Sequence, residues 1–167
     1  TQWHAMKQAY KFIFPGAAML VSILFLVLAG KIYPALYVGA SDAEGYLDSF
    51  RLDLVDFGIT SSMGMCTVLI PWIMAVVFYY VVNSVHFDRW WHWLVMLAIT
   101  VCMTVWADWY FMSGKFAVRE AGLGEMYSSY MLAVSGWNAL FSAAVFTAVS
   151  FGIRWWSSNC RHTPFPQ

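Results

Sequence analysis

Four stretches of this chain are as long as a bilayer is thick and carry almost no formal charge, and nothing else in the sequence constrains the fold as strongly. Phe12 to Gly30 carries no formal charge, nor does Phe57 to Phe87 or Tyr130 to Ile153. Trp91 to Met112 holds a single acid, Asp108. A helix needs about 20 mostly apolar residues to cross the hydrocarbon core. The spacing therefore predicts four spans, at about 12–33, 57–84, 91–112 and 130–153. Lys31 can reach outward from the end of the first span. A basic start followed by an apolar run also fits a signal peptide, but we read this segment as a membrane anchor.

Composition supports the same class. The chain is 61% hydrophobic and 11% charged, against about 25% charged in average soluble domains. Nine basic and nine acidic residues cancel, which leaves no electrostatic footprint for a nucleic-acid partner. Three cysteines, Cys66, Cys102 and Cys160, have no paired spacing, so a disulfide framework is not expected.

The connections differ in character. Between the second and third spans lies His86-Phe87-Asp88-Arg89-Trp90-Trp91-His92-Trp93, a short aromatic pivot of the kind that sits at headgroup depth. It divides the chain into two hydrophobic hairpins. The first hairpin's loop holds the longest polar interruption, with Ser41 and Glu44 at capping-box spacing. Ala43, Tyr46, Leu47, Phe50, Leu54 and Phe57 then recur at helical spacing among Asp42, Glu44, Asp48, Arg51 and Asp53, which predicts an amphipathic helix at about 42–56. Gly45 weakens that helix. The expected fold is an all-α integral membrane protein, a four-transmembrane-helix bundle of two hairpins with an amphipathic helix in its first outer loop.

Four spans put both termini on one side, with Lys7, Lys11, Arg89, Arg154, Arg161 and the lone acid Asp88. The other side holds Lys31, Arg51, Lys115 and Arg119 among seven acids. Basic residues alone are nearly balanced, but the short pivot and tails read as cytoplasmic elements. We expect both termini in the cytoplasm and the protein in a plasma or bacterial inner membrane.

Within the spans, Pro71 predicts a kink, because an interior proline removes a helix hydrogen bond. Asp108 is a functional candidate by virtue of being ionisable in a span. Its neighbours Trp106, Trp109 and Tyr110 set it at an interface in this reading, as a solvated or paired carboxylate. His86 and His92 are further interfacial polar candidates. On the fourth span Ser135, Ala139, Ala143 and Thr147 form one row of small residues, and Ala144, Ala148 and Gly152 a second. Small residues at this spacing let helices approach closely, so these rows are the candidate helix-packing or oligomer interface. Ser135, Asn138, Ser142 and Thr147 also make a mildly polar stripe.

No arrangement for turnover emerges. The four histidines fall on one membrane face with no HxxxH or HExxH spacing, and no span carries one at depth for a haem. There is no GxSxG elbow and no CxxC. We therefore expect no catalytic residues, no metal and no cofactor. The leading expectation is a non-enzymatic subunit that anchors or scaffolds a larger envelope complex: a secretion, injection, respiratory or defence assembly. Its partners would be the lipid bilayer and other membrane subunits or copies of itself. Two alternatives stand beside it. One is a homo-oligomeric pore or small-solute transporter, and the other a membrane enzyme or cofactor-binding subunit that uses the cytoplasmic-face histidines.

Overall fold

The computed structural model describes residues 2–36, 45–84, 86 and 89–158. The chain forms α1 (Gln2–Ala35), α2 (Leu47–Asp56), α3 (Ile59–Val76), α4 (Trp90–Arg119), α5 (Leu123–Met126) and α6 (Ser128–Ile153). A π-helical turn, Val77–Val82, extends α3, and a 3-10 turn, Arg154–Trp156, ends α6. No strand occurs among the described residues. Four segments are long and apolar enough to cross a membrane: Ala9–Ala35, Ile59–Val82, Trp90–Arg119 and Ser128–Trp156. Each contains one of the expected spans or most of it.

Two local departures have clear causes. The capping-box pair Ser41 and Glu44 lies outside the described residues, and α2 begins only at Leu47, after Gly45 takes a left-handed φ of 77°. Leu47, Phe50 and Leu54 then turn inward. A second left-handed glycine, Gly58 at φ 64°, reverses the chain from α2 into α3, a conformation a side chain would strain. Pro71, the expected kink, lies inside α3. Helix α3 runs through the buried Pro71 as α-helix, and the geometry changes only at Val77. There the ladder widens, so that Asn83 N–H donates to Phe78 O at 3.2 Å.

Helices α3 and α6 form the central pair, with α1 packed on one side of them and α4 on the other. Two close approaches set this geometry. A Cβ at Gly64 would lie 2.9 Å from Ala29 Cβ, so α3 meets α1 there with no room for a side chain. At Gly152 a Cβ would lie 3.2 Å from Pro15 Cα, which brings α6 equally near α1. The core divides in two along the bundle. One apolar cluster gathers Phe50, Met63, Met112, Phe116, Tyr127 and Met131 beneath α2 and α5. The other gathers Ala75, Phe78, Tyr79, Trp93, Phe146 and Val149 near the opposite end.

Candidate functional site

Between those clusters lies a polar junction to which all four long helices contribute. Asp108 on α4 is 0% exposed. Asn138 on α6 donates from Nδ2 to Asp108 Oδ2 at 2.5 Å. The amide's other end, Oδ1, accepts from the Tyr33 hydroxyl of α1 at 2.5 Å and also meets Thr67 Oγ1 of α3. Tyr33 and Thr67 oxygens are themselves 3.0 Å apart, and Thr67 can donate to Met63 O at 2.7 Å. Each hydroxyl has one proton, so two protons serve the Asn138 oxygen and the Met63 carbonyl. This arrangement orients the amide: its oxygen faces hydroxyl donors and its nitrogen faces the carboxyl group.

The junction continues along α4 and α6 as a column. One turn away from Asp108 and Asn138, Thr104 and Ser142 oxygens lie 2.8 Å apart. Thr104 also bonds Thr100 O at 3.0 Å, and Thr100 bonds Met96 O at 2.7 Å. A step of four residues keeps Thr100, Thr104 and Asp108 on one helical face. Because the two helices are antiparallel, 104 pairs with 142 as 108 pairs with 138. Packing closes both ends. Met63, Met112 and Met131 sit one turn beyond Thr67, Asp108 and Ser135 and are fully buried. At the other end Phe146 lies one turn beyond Ser142, its ring 5.7 Å from that of Trp93.

Asp108 is therefore not the edge carboxylate that its neighbours suggested. Trp106, Trp109 and Tyr110 are 70%, 42% and 64% exposed, and their sequence positions turn them onto other faces of α4. They line the outside of the helix while Asp108 points in. Among the described residues its Oδ1 has no hydrogen-bond partner, and neither has the buried Ser135 Oγ.

The remaining candidates fall as follows. Ala139, Ala143 and Thr147 are half-buried, with Thr147 Oγ1 bonded to Ala143 O at 2.8 Å. Ala144 and Ala148 are exposed, and Gly152 is buried against Pro15. His86 is exposed with its Nδ1 3.4 Å from Ser84 Oγ, whereas His92 is buried in the first turn of α4. The side chain of His4 and all of His162 lie outside the described residues. No three His, Cys, Asp or Glu side chains gather as metal ligands among the described residues.

Sequence reasoning missed Tyr33, Thr100 and Thr104 as members of a site. The signal for the α4 members was available in the spacing that links 100, 104 and 108. For Tyr33 there was none, because a tyrosine at a span end reads as an interfacial anchor.

A second, smaller contact ties α2 to α6. The Tyr127 hydroxyl, at the head of α6, donates to Asp53 Oδ2 at 3.0 Å. Tyr127 is buried, and burial, reinforced by the hydrogen bond to Asp53, pushes its hydroxyl up to about 12. No protein-family model, curated protein or solved structure matches this chain.

Proposed function

We propose that the chain is a non-enzymatic integral membrane subunit that anchors or scaffolds a larger envelope complex of the secretion, injection, respiratory or defence type. One observation carries the reading. Tyr33, Thr67, Asp108 and Asn138, with Thr104 and Ser142 one turn away, bond to one another across the four long helices, and apolar packing closes their column at both ends. A bundle tied through its centre in this way suits a fixed component better than a conduit or a mobile carrier.

In this reading the chain inserts as two hairpins joined by the aromatic pivot, with both termini cytoplasmic. The amphipathic α2 lies over the outer end. Partners, or copies of the chain, meet the outward small residues Ala144 and Ala148 and the half-buried row Ala139, Ala143 and Thr147. Leu52 and Val55 of α2 are exposed and offer a second contact. Native mass spectrometry of protein extracted gently from its own membrane tests the proposal. A heteromeric mass that Ala144→Leu with Ala148→Leu disperses supports it. A bare monomer in every mild detergent would remove it.

A second reading, a small-solute transporter or homo-oligomeric pore, is favoured by the buried Asp108 oxygen that no described protein group satisfies. It predicts flux in proteoliposomes that Asp108→Asn or Asn138→Leu changes. Tight vesicles with the wild-type protein over a range of conditions count against it.

A further inference from the structure

The polar junction holds a carboxyl group whose charge has no counterpart. Asp108 is fully buried where all four long helices meet. Its Oδ2 accepts from Asn138 Nδ2, while its Oδ1 meets no donor among the described residues. No cation reaches it there either. Helices α3 and α6 contain no basic residue, and Lys31 of α1 and Lys115 and Arg119 of α4 are exposed. Among the described residues no ion pair includes Asp108. Its titratable neighbours are Tyr33 of α1 and Cys66 of α3, and neither brings a positive charge. From α6 it faces the amide of Asn138, which does not titrate.

Three states of this carboxyl differ in cost. A bare carboxylate leaves an unpaired charge in the interior, where a single amide donor replaces the water shell of a full charge. A metal ion cancels the charge but needs several oxygen ligands. Beside Asp108 Oδ1, the junction offers only the Ser135 hydroxyl as a further unpartnered oxygen, and no three His, Cys, Asp or Glu side chains gather among the described residues. A proton cancels the charge, asks for no coordination shell and fits where packing leaves no opening. The O–H so formed lacks an acceptor among the described residues, but an unmade neutral hydrogen bond costs far less than an unpaired buried charge. We propose that Asp108 is a buried proton-binding site, with the proton on Oδ1 at neutral pH and the junction uncharged. Oδ2 is then the carbonyl oxygen that accepts from Asn138, in keeping with the amide orientation that Tyr33 and Thr67 set. The site holds for a scaffold and for a transporter alike, and its failure would leave both readings standing.

The test is infrared spectroscopy of the full chain at neutral pH in dodecyl maltoside, a detergent without ester carbonyls. A neutral carboxylic acid has a C=O stretch above the amide bands, and a carboxylate has none there. The wild type should show one such band, in potassium chloride and in sodium chloride alike. The band should be lost in Asp108→Asn and keep its full strength in Glu120→Gln, at an exposed position. Asn138→Ala keeps the carboxyl group but removes the donor to Oδ2, so the band should move to higher frequency. That arm assigns the band to Asp108 even where Asp108→Asn fails to fold. A wild type without the band would overturn the proposal. So would a band that survives in Asp108→Asn, one that stays in place in Asn138→Ala, or one that vanishes when sodium replaces potassium, which would mark a sodium site.

Discussion

Asp108 and Asp53 both accept a hydrogen bond from a side chain in the last third of the chain, and they live in opposite surroundings. Asp108 is fully buried among four helices and held by Asn138, whose amide in turn holds Tyr33 and Thr67. Asp53 is half-buried at the end of the bundle, where the Tyr127 hydroxyl reaches it from within an aromatic cluster. That cluster packs Phe50 against Phe116 at 6.0 Å, Tyr127 at 5.2 Å and Tyr130 at 5.4 Å. The contrast shows two ways of joining helices. In the centre, Tyr33, Thr67, Asn138 and Asp108 Oδ2 bond to one another and fix orientation, while Asp108 Oδ1 has no partner among the described residues. At the end, ring contacts hold the elements and the hydrogen bond is an addition.

The comparison can be broken from either side. Phe50→Ala should have the largest effect, because three ring contacts disappear and α2 loses its central anchor. The expected loss is about 3–5 kcal/mol, read as a lower midpoint in detergent unfolding. If α2 is held by its charged residues instead, the midpoint will hardly move. Asn138→Leu comes next, at about 3 kcal/mol. It leaves Asp108 Oδ2 without its donor and the Tyr33 hydroxyl without the amide acceptor in one step, while Thr67 keeps Met63 O. A neutral or stabilising result would show that the junction adds orientation but no net stability, an outcome known for some buried polar groups.

The two regions were not equally legible. The four spans follow from runs without charge, since a backbone in lipid has little choice but helix. The buried side of α2 was legible in part: Leu47, Phe50 and Leu54 of the apolar repeat are buried, while Tyr46 of the same repeat is exposed. The junction was not. Asp108 stands beside Trp106, Trp109 and Tyr110 in sequence, and adjacency along a helix scatters side chains over different faces. The belt residues point out and Asp108 points in, so the aromatic signal was real but belonged to another face. On α6 the polar stripe was seen in full, yet nothing local says that Asn138 meets α1, α3 and α4 at once. That information is in the crossing of helices, set by Gly64 against Ala29 and Gly152 against Pro15, and small residues in one helix do not name the helix they will touch. Helix α3 continues through Pro71, and the departure from α geometry begins at Val77.

Tyr33→Phe sharpens the description of the centre. It removes one of the two hydroxyls at Asn138 Oδ1 and leaves Thr67 in place, so the loss should be about 1 kcal/mol, well short of Asn138→Leu. Combining Tyr33→Phe with Thr67→Val should then cost more than the two separate losses, because the amide oxygen is orphaned only in the double variant. Strict additivity would mean that the oxygens do not share Asn138.

The smallest effect belongs to Tyr127→Phe, at about 0.5–1 kcal/mol near neutral pH, since water can replace the lost donor at the half-buried Asp53. Its pH dependence tests the link between the hydroxyl's proton and folding. Burial, then the bond to Asp53, raises the Tyr127 hydroxyl to about 12, above the value of about 10 for a free tyrosine. The folded state therefore favours the neutral phenol, and the stability this brings is fully present below about pH 10. As the pH rises from there through about 12, the unfolded chain releases the proton more readily and the contribution is lost. The gap between wild type and Tyr127→Phe should close across that window. A gap that persists unchanged to the alkaline limit would show that ionisation of the Tyr127 hydroxyl is not linked to folding, and the bond to Asp53 would then not be what the variant loses.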